Sequence, residues 1–133
     1  MASDNGKVCR GVRGAISDDG ESEQAFRSAT VELLEHVVKA NECDLTDVAA
    51  LIFTIPDELA GSNPAAIARE HGWSSVPLLM VKEHGGDTRV DRCLRLMLLW
   101  NTSRAQSDIR HVYLGEARAL RPDAIPDGDA APS

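Results

Sequence analysis

Aromatic side chains are scarce in this chain: phenylalanine, tryptophan and tyrosine together make up 4% of its 133 residues. The bases of a single nucleic-acid strand would find no stacking platform, and a formal net charge of −7 denies a phosphate backbone the basic surface it needs. No nucleic-acid partner is expected. No apolar run approaches the ~20 residues of a membrane helix, and no charged n-region followed by an apolar h-region opens the chain. No membrane partner is expected either, and the protein is read as cytoplasmic. Cysteine is sparse as well. Cys9, Cys43 and Cys93 are odd in number, lie far apart and include no C-x-x-C pair, so they are expected to be buried thiols that pack as small hydrophobes.

Familiar catalytic signatures are missing too. There is no G-x-S-x-G, no Cys–His pairing at a known spacing and no second carboxylate placed for a general-acid pair, so covalent catalysis is not expected. His36, His71, His84 and His111 lack any metal-ligand spacing and read as surface or helix-end residues. Gly85-Gly86 lacks the rest of a phosphate-binding loop. The expected site needs no metal and no cofactor.

What is present is an aliphatic core. With 43% hydrophobic residues the chain reads as one domain over 1–133, with residues 1–6 a disordered lead-in and 124–133, rich in Pro, Asp and Ala, a mobile tail. Trp73 and Trp100 are core or interface anchors. Residues 7–14 alternate as a strand, which places Arg13 with Cys9 on one face and Arg10 with Val8 and Val12 on the other. Ser22 is the N-cap of the main amphipathic helix, where Phe26, Ala29, Leu33 and Val37 recur at helical spacing up to about Asn41. Val48–Ile55 is an unbroken apolar run ended by Pro56, the pattern of a central strand covered on both faces. Asn63-Pro64 opens a second, short helix that Gly72 terminates, with Arg69 exposed on it. Residues 76–81 form another strand and deliver Glu83 at its end, a common functional position.

Two stretches stand out against this aliphatic background. Residues 93–100, Cys-Leu-Arg-Leu-Met-Leu-Leu-Trp, form the most hydrophobic strand yet carry Arg95. Such an arginine either escapes to solvent at a sheet edge or is buried with anionic company, since an unpaired buried charge costs roughly several kcal/mol; the second reading is taken here. Residues 109–122 hold three arginines and the only tyrosine, with Tyr113 and Arg121 bracketing a turn at Gly115. A phenol that donates one directed hydrogen bond and a guanidinium that grips a carboxylate through two suit a small, rigid anion. A plain surface strand with solvated arginines is the competing reading of that stretch.

Arg-Gly-Val-Arg-Gly-Ala-Ile at 10–16, Val-Pro-Leu-Leu at 76–79 with Glu83 beyond it, Cys-Leu-Arg at 93–95, and Ile-Arg-His-Val-Tyr-Leu with Leu-Arg-Pro-Asp at 109–123 resemble the small monofunctional bacterial chorismate mutases of the Bacillus type. The resemblance runs from about Val8 to Asp123. It implies an α+β fold, a mixed β-sheet with two main helices, and a homotrimer with a barrel-like core of packed sheets and active sites in the clefts between subunits. It further implies that Arg13, Glu83, Arg95 and Tyr113 line the site from one subunit while Arg69 approaches from its neighbour, with Arg121 at the start of the tail. Ala65 and Leu120 fall at substrate-binding positions by the same resemblance. Asn63 stands where the family usually has phenylalanine, and Met80 replaces a cysteine near the substrate ring, departures that bear on substrate fit.

The implied activity is the rearrangement of chorismate to prephenate in phenylalanine and tyrosine biosynthesis. This is an intramolecular Claisen-type reaction of a dianion, in which the ether C–O bond breaks ahead of C–C formation and negative charge grows on the ether oxygen. Such a reaction is accelerated by holding a near-attack geometry and by fixed positive charge at that oxygen. Arg95 is assigned to the ether oxygen and one carboxylate, Arg13 to the enolpyruvyl carboxylate, Glu83 to the ring hydroxyl and Tyr113 to carboxylate binding. Arg69 and Arg121 gather the anion. The alternative is a trimeric small-anion-binding module, or a reactive-imine deaminase of similar architecture, without mutase activity.

Overall fold

The computed structural model describes residues 6–18, 22–84 and 91–120. The proposed lead-in, apart from Gly6, and the whole tail, together with Gly85-Gly86 and Arg121, lie outside the described residues. Five strands and two helices follow one another as β1 (Val8–Ser17), α1 (Glu23–Asn41), β2 (Val48–Ile55), α2 (Pro64–Ala68), β3 (Leu78–Lys82), β4 (Cys93–Thr102) and β5 (Val112–Leu114). The strands form one mixed sheet in the order β3-β2-β4-β1-β5. Pairing is antiparallel at β1–β4 and β2–β4 and parallel at β1–β5 and β2–β3. The fold is therefore α+β with a mixed sheet, as expected.

Helix α1 starts where its cap dictates. Ser22 is extended and its hydroxyl accepts from the Ala25 amide at 3.0 Å, with Glu23 in the first turn where a carboxylate favours the helix dipole. Phe26, Ala29, Thr30, Leu33, Leu34, Val37 and Asn41 make its buried stripe. That stripe covers the sheet face formed by Val12 and Ile16 of β1, Leu51 and Phe53 of β2, and Leu94, Leu96, Leu98 and Trp100 of β4. The fully buried Leu33 and Val37 each contribute roughly 1.5–3 kcal/mol by leaving water. The helix approaches closely at Gly14, where a Cβ would meet the Leu96 side chain at 3.2 Å and Leu33 Cδ1 at 3.3 Å.

On α2 the Asn63 side chain accepts from the Ala66 amide at 2.9 Å and Pro64 follows at the first helical position. The helix begins as five residues of α-helix and widens from Arg69, and the backbone leaves helical geometry at His71 and Gly72, whose φ of +100° makes it the terminating residue expected. Trp73 and Trp100 are both buried in the core.

The expectation that β2 is covered on both faces is corrected. Val48, Leu51 and Phe53 are buried, whereas Ala49 is exposed and Ala50, Ile52 and Thr54 are only half-buried, because the described residues place no layer over that face. Cys9 is likewise exposed rather than buried, since it alternates onto the same open face of β1, while Cys43 and Cys93 are buried as expected. Among the described residues, only the end near β5 is closed on this face, by the turn Gly115–Leu120, whose Ala117 packs with Ala15, Cys93 and Tyr113.

The free edge of β1 beyond β5 is completed by side chains. The Arg13 amide donates to His111 Nδ1 at 3.0 Å, and the Gln106 amide group both accepts from the Gly11 N–H and donates to its carbonyl. Asn41, fully buried, performs the same service for β5: its Oδ1 accepts from the Arg110 N–H at 2.9 Å and its Nδ2 donates to the Arg110 carbonyl at 3.0 Å. Asn41 thus ties the end of α1 to the segment that presents Tyr113. Asn41→Ala is expected to cost about 1–3 kcal/mol of stability by removing both of these bonds from a buried site, read as a lower urea midpoint.

Candidate active site

Register sets a row of side chains across the open face. Ala15 on β1 is the direct partner of both Arg95 on β4 and Tyr113 on β5. Arg95 is in turn opposite Thr54 on β2, and Thr54 opposite Val81 on β3. Glu83 stands two residues beyond Val81, and its amide still donates to the Ile55 carbonyl at 2.8 Å, so the alternation of the strand returns its carboxylate to the same face. Arg13, two residues before Ala15 and opposite Met97, joins them. Four of the residues singled out in the sequence, Arg13, Glu83, Arg95 and Tyr113, are therefore brought to one surface, drawn from four separate strands or strand ends.

The guanidinium of Arg95 has the anionic company expected of it. Its Nε is 3.7 Å from Glu83 Oε1, an ion pair longer than a hydrogen bond, with the side chains 34% and 17% exposed. The same carboxylate oxygen accepts a short hydrogen bond from Thr54 Oγ1. Arg13 Nε is buried with no hydrogen-bond acceptor among the described residues, which leaves a donor to be met from elsewhere. Tyr113 is buried at the end of the row, in the cluster with Ala15, Cys93 and Ala117. Gly115, which follows β5, has φ +61°, and a Cβ there would stand 2.9 Å from Ser17 Oγ, the atom that accepts the Glu116 amide. Glycine is required for this turn.

Cys93 faces Arg95 and Glu83. Burial pushes its thiol up to about 11; the Arg95 guanidinium opposes that rise and the Glu83 carboxylate adds to it. It stays a protonated thiol at neutral pH and is no nucleophile. Cys43 is also pushed up to about 11, by burial first and then by Asp44 and Asp47. Among the described residues no cluster of His, Cys, Asp and Glu is arranged to hold a metal ion, and no helix is long and apolar enough to cross a membrane.

Residues 9–124 match the family model of chorismate mutase type I. The chain belongs to the type I chorismate mutase family. It is 42% identical to chorismate mutase AroH of Thermus thermophilus over 117 residues, spanning 87% of this chain and 96% of that protein. The corresponding protein of Bacillus subtilis (strain 168) is 33% identical over 117 residues, 87% of this chain and 92% of that one. Among solved structures, a chorismate mutase from Clostridium thermocellum superposes with a TM-score of 0.78 at 31% identity, covering 83% of this chain and 98% of that chain.

The other residues expected to serve a type I chorismate mutase do not join the row within one chain. Asn63 caps α2 and Ala65 is buried beneath it, while Arg69 is exposed at its end. Met80, 40% exposed, is paired with Phe53 and so belongs to the opposite face of the edge strand β3. Leu120 ends the turn after β5, and Arg121 is outside the described residues. A surface cavity of about 480 Å³ between the N-termini of α1 and α2, lined in part by Ser22, Arg27, Asn63 and Arg92, shares no residue with the row.

Three contributors escaped the sequence reading. Thr54 looked like part of an apolar run, and His111 like a surface residue, although its ring accepts the Arg13 amide. Arg92, at φ +53°, pins the entry to β4: Nε and Nη2 bind the buried Asp18 carboxylate at 2.8 and 3.2 Å, and its amide donates to Glu58, holding that carboxyl below its usual range. The signal for Thr54 was the lone hydroxyl within that run.

Both buried thiols have a folded pKa above the ordinary value of 9.0, so the stability they confer as neutral groups is complete below pH 9 and is lost as pH rises towards 11. Urea unfolding from pH 8 to 11 is expected to show a fall in stability that is shallower in the Cys43→Ala, Cys93→Ala double variant.

Proposed function

We propose that this protein catalyses the rearrangement of chorismate to prephenate, in the cytoplasm and within phenylalanine and tyrosine biosynthesis, at sites shared between the subunits of a homotrimer. The observation that carries the reading is the row on the open sheet face, in which Arg13 and Arg95 lie with a carboxylate and a phenol in a chain of the type I chorismate mutase family. Two guanidiniums match a dianion. Arg95 meets the ether oxygen, where charge grows only as the C–O bond breaks, and one carboxylate; Arg13, whose buried Nε has no acceptor among the described residues, takes the enolpyruvyl carboxylate. Glu83 accepts from the ring hydroxyl and Tyr113 assists a carboxylate. No proton transfer or covalent step is required, in keeping with the neutral Cys93 thiol.

The trimer is supported by the uncovered face. Leu79 is 56% exposed, Val81 39% and Met97 37%, and Leu79 of β3 and Met97 of β4 flank the half-buried Ile52 of β2 in one cross-strand row, an exposed apolar patch of the kind that marks an interface. Packing three such faces into a barrel-like core covers them. It also lets Arg69, with Asn63 and Ala65 on the same element, approach a neighbour's row, with Leu120 and Arg121 at its mouth. Light scattering is expected to return a trimer at micromolar concentration; a monomer would remove the shared site.

A direct assay of chorismate consumption tests the activity. Arg95→Lys keeps the charge but loses the planar fork that reaches two oxygens at once, so turnover is expected to fall by at least about 10²–10³ with affinity changed far less. Near-normal turnover, or a loss confined to affinity, would overturn the electrostatic mechanism. Glu83→Ala is expected to lower turnover strongly and Glu83→Gln less, because the amide oxygen still accepts the ring hydroxyl.

A further inference from the structure

Thr54 is the one hydroxyl in the stretch Leu-Ile-Phe-Thr-Ile of β2, where valine would have nearly the same shape and at least as strong a preference for the strand. It sits between Arg95 and Glu83 in the row. Its Cα is opposite Arg95 on one side and Val81 on the other, and Glu83 follows Val81 on the same face. Thr54 Oγ1 donates to Glu83 Oε1, the oxygen that also stands 3.7 Å from Arg95 Nε. This is the only hydrogen bond made to the Glu83 carboxylate by the described residues, and it leaves Oε2 with its acceptor capacity free.

A glutamate beyond the end of an edge strand has three side-chain torsions with which to miss its target, and a misplacement of about 1 Å can cost about 10²-fold in rate. We propose that Thr54 is a positioning residue that clamps Oε1 of Glu83, so that Oε2 faces the substrate's ring hydroxyl and the carboxylate keeps its distance from Arg95. The proposal rests on the reading of Glu83 given above. Without the clamp the carboxylate turns towards the neighbouring guanidinium, which both withdraws it from the hydroxyl and occupies the charge that the ether oxygen requires. The loss belongs to the transition state more than to substrate capture, since the carboxylates of the substrate are held by other groups.

Turnover and KM for chorismate, measured on purified full-length variants, decide it. Thr54→Val is expected to lower kcat about tenfold or more with KM changed less than about threefold, and Thr54→Ser, which keeps the hydroxyl, to restore kcat to within about threefold. In a Glu83→Ala background, Thr54→Val is expected to have no further effect. Thermal unfolding of each variant verifies that the sheet is intact, and valine in a strand is not expected to disturb it. If Glu83→Ala is impaired while Thr54→Val matches the parent, the clamp is refuted and the Glu83 reading stands. An equal loss from Thr54→Val with and without Glu83 would place its effect in the sheet and refute the clamp as well. Full turnover in Glu83→Ala would instead overturn the role of Glu83, and the clamp with it.

Discussion

Everything at this site depends on the register between β1, β4 and β2. A slip of one residue would turn Arg95 into the core beneath α1 and throw Leu94 and Leu96 onto the open face, because side chains alternate with a period of two. Several independent contacts forbid the slip. Pairing of β1 with β4 is continuous from Val8↔Thr102 to Ser17↔Cys93, and Gly14 fits under Leu33 only in this alignment. Arg92, with its backbone in the left-handed region, locks the entry to β4 against Asp18, which follows β1, and Glu58, which follows β2. The geometry of the row is thus fixed by packing on the opposite face of the sheet and by ion pairs at its end.

The charges follow the same logic at larger scale. An acidic protein with net charge −7 presents a cationic row, and the sign of the whole does not decide the sign of the part. Three arginines away from the row are each paired with a carboxylate: Arg27 with Glu70, Arg92 with Asp18 and Arg104 with Glu42. The row on the open face holds two guanidiniums, Arg13 and Arg95, and one carboxylate, Glu83, which stands 3.7 Å from Arg95. Because these donors are partly withdrawn from water and held by the sheet, their field weakens less with distance than it would at a fully solvated surface.

How much of this was legible in the sequence follows from how local each signal is. The cap at Ser22, the stripe on α1, the strand at Val48–Ile55 and the Asn63-Pro64 helix start are written within a few residues and stand where they were read. Arg95 was legible because a charge in an apolar strand must find a partner, and its partner proved to be Glu83. The open face of β2 was not legible, since an apolar run reads the same whether the second cover comes from the same chain or from elsewhere. Thr54 and His111 were missed because what each does is defined by a residue far away in the chain, Glu83 and Arg13. The exposure of Cys9 is a matter of which face is covered, and no local pattern encodes that.

The strand order also dictates when the molecule can assemble. The first strand lies between the fourth and the fifth, with Val8 beside Thr102 and Ala15 beside Tyr113, so its partners on both sides are among the last described segments to be synthesised. On the ribosome β1 and α1 must wait, apolar stripe exposed, until β4 and β5 emerge. A topology so dominated by non-local pairing folds slowly for its size, and the unpaired early strands are the segments most open to association with other chains before closure. The arrangement that gathers one chemical group from each end of the chain into a single row is also the one that makes the nascent protein dependent on its own completion.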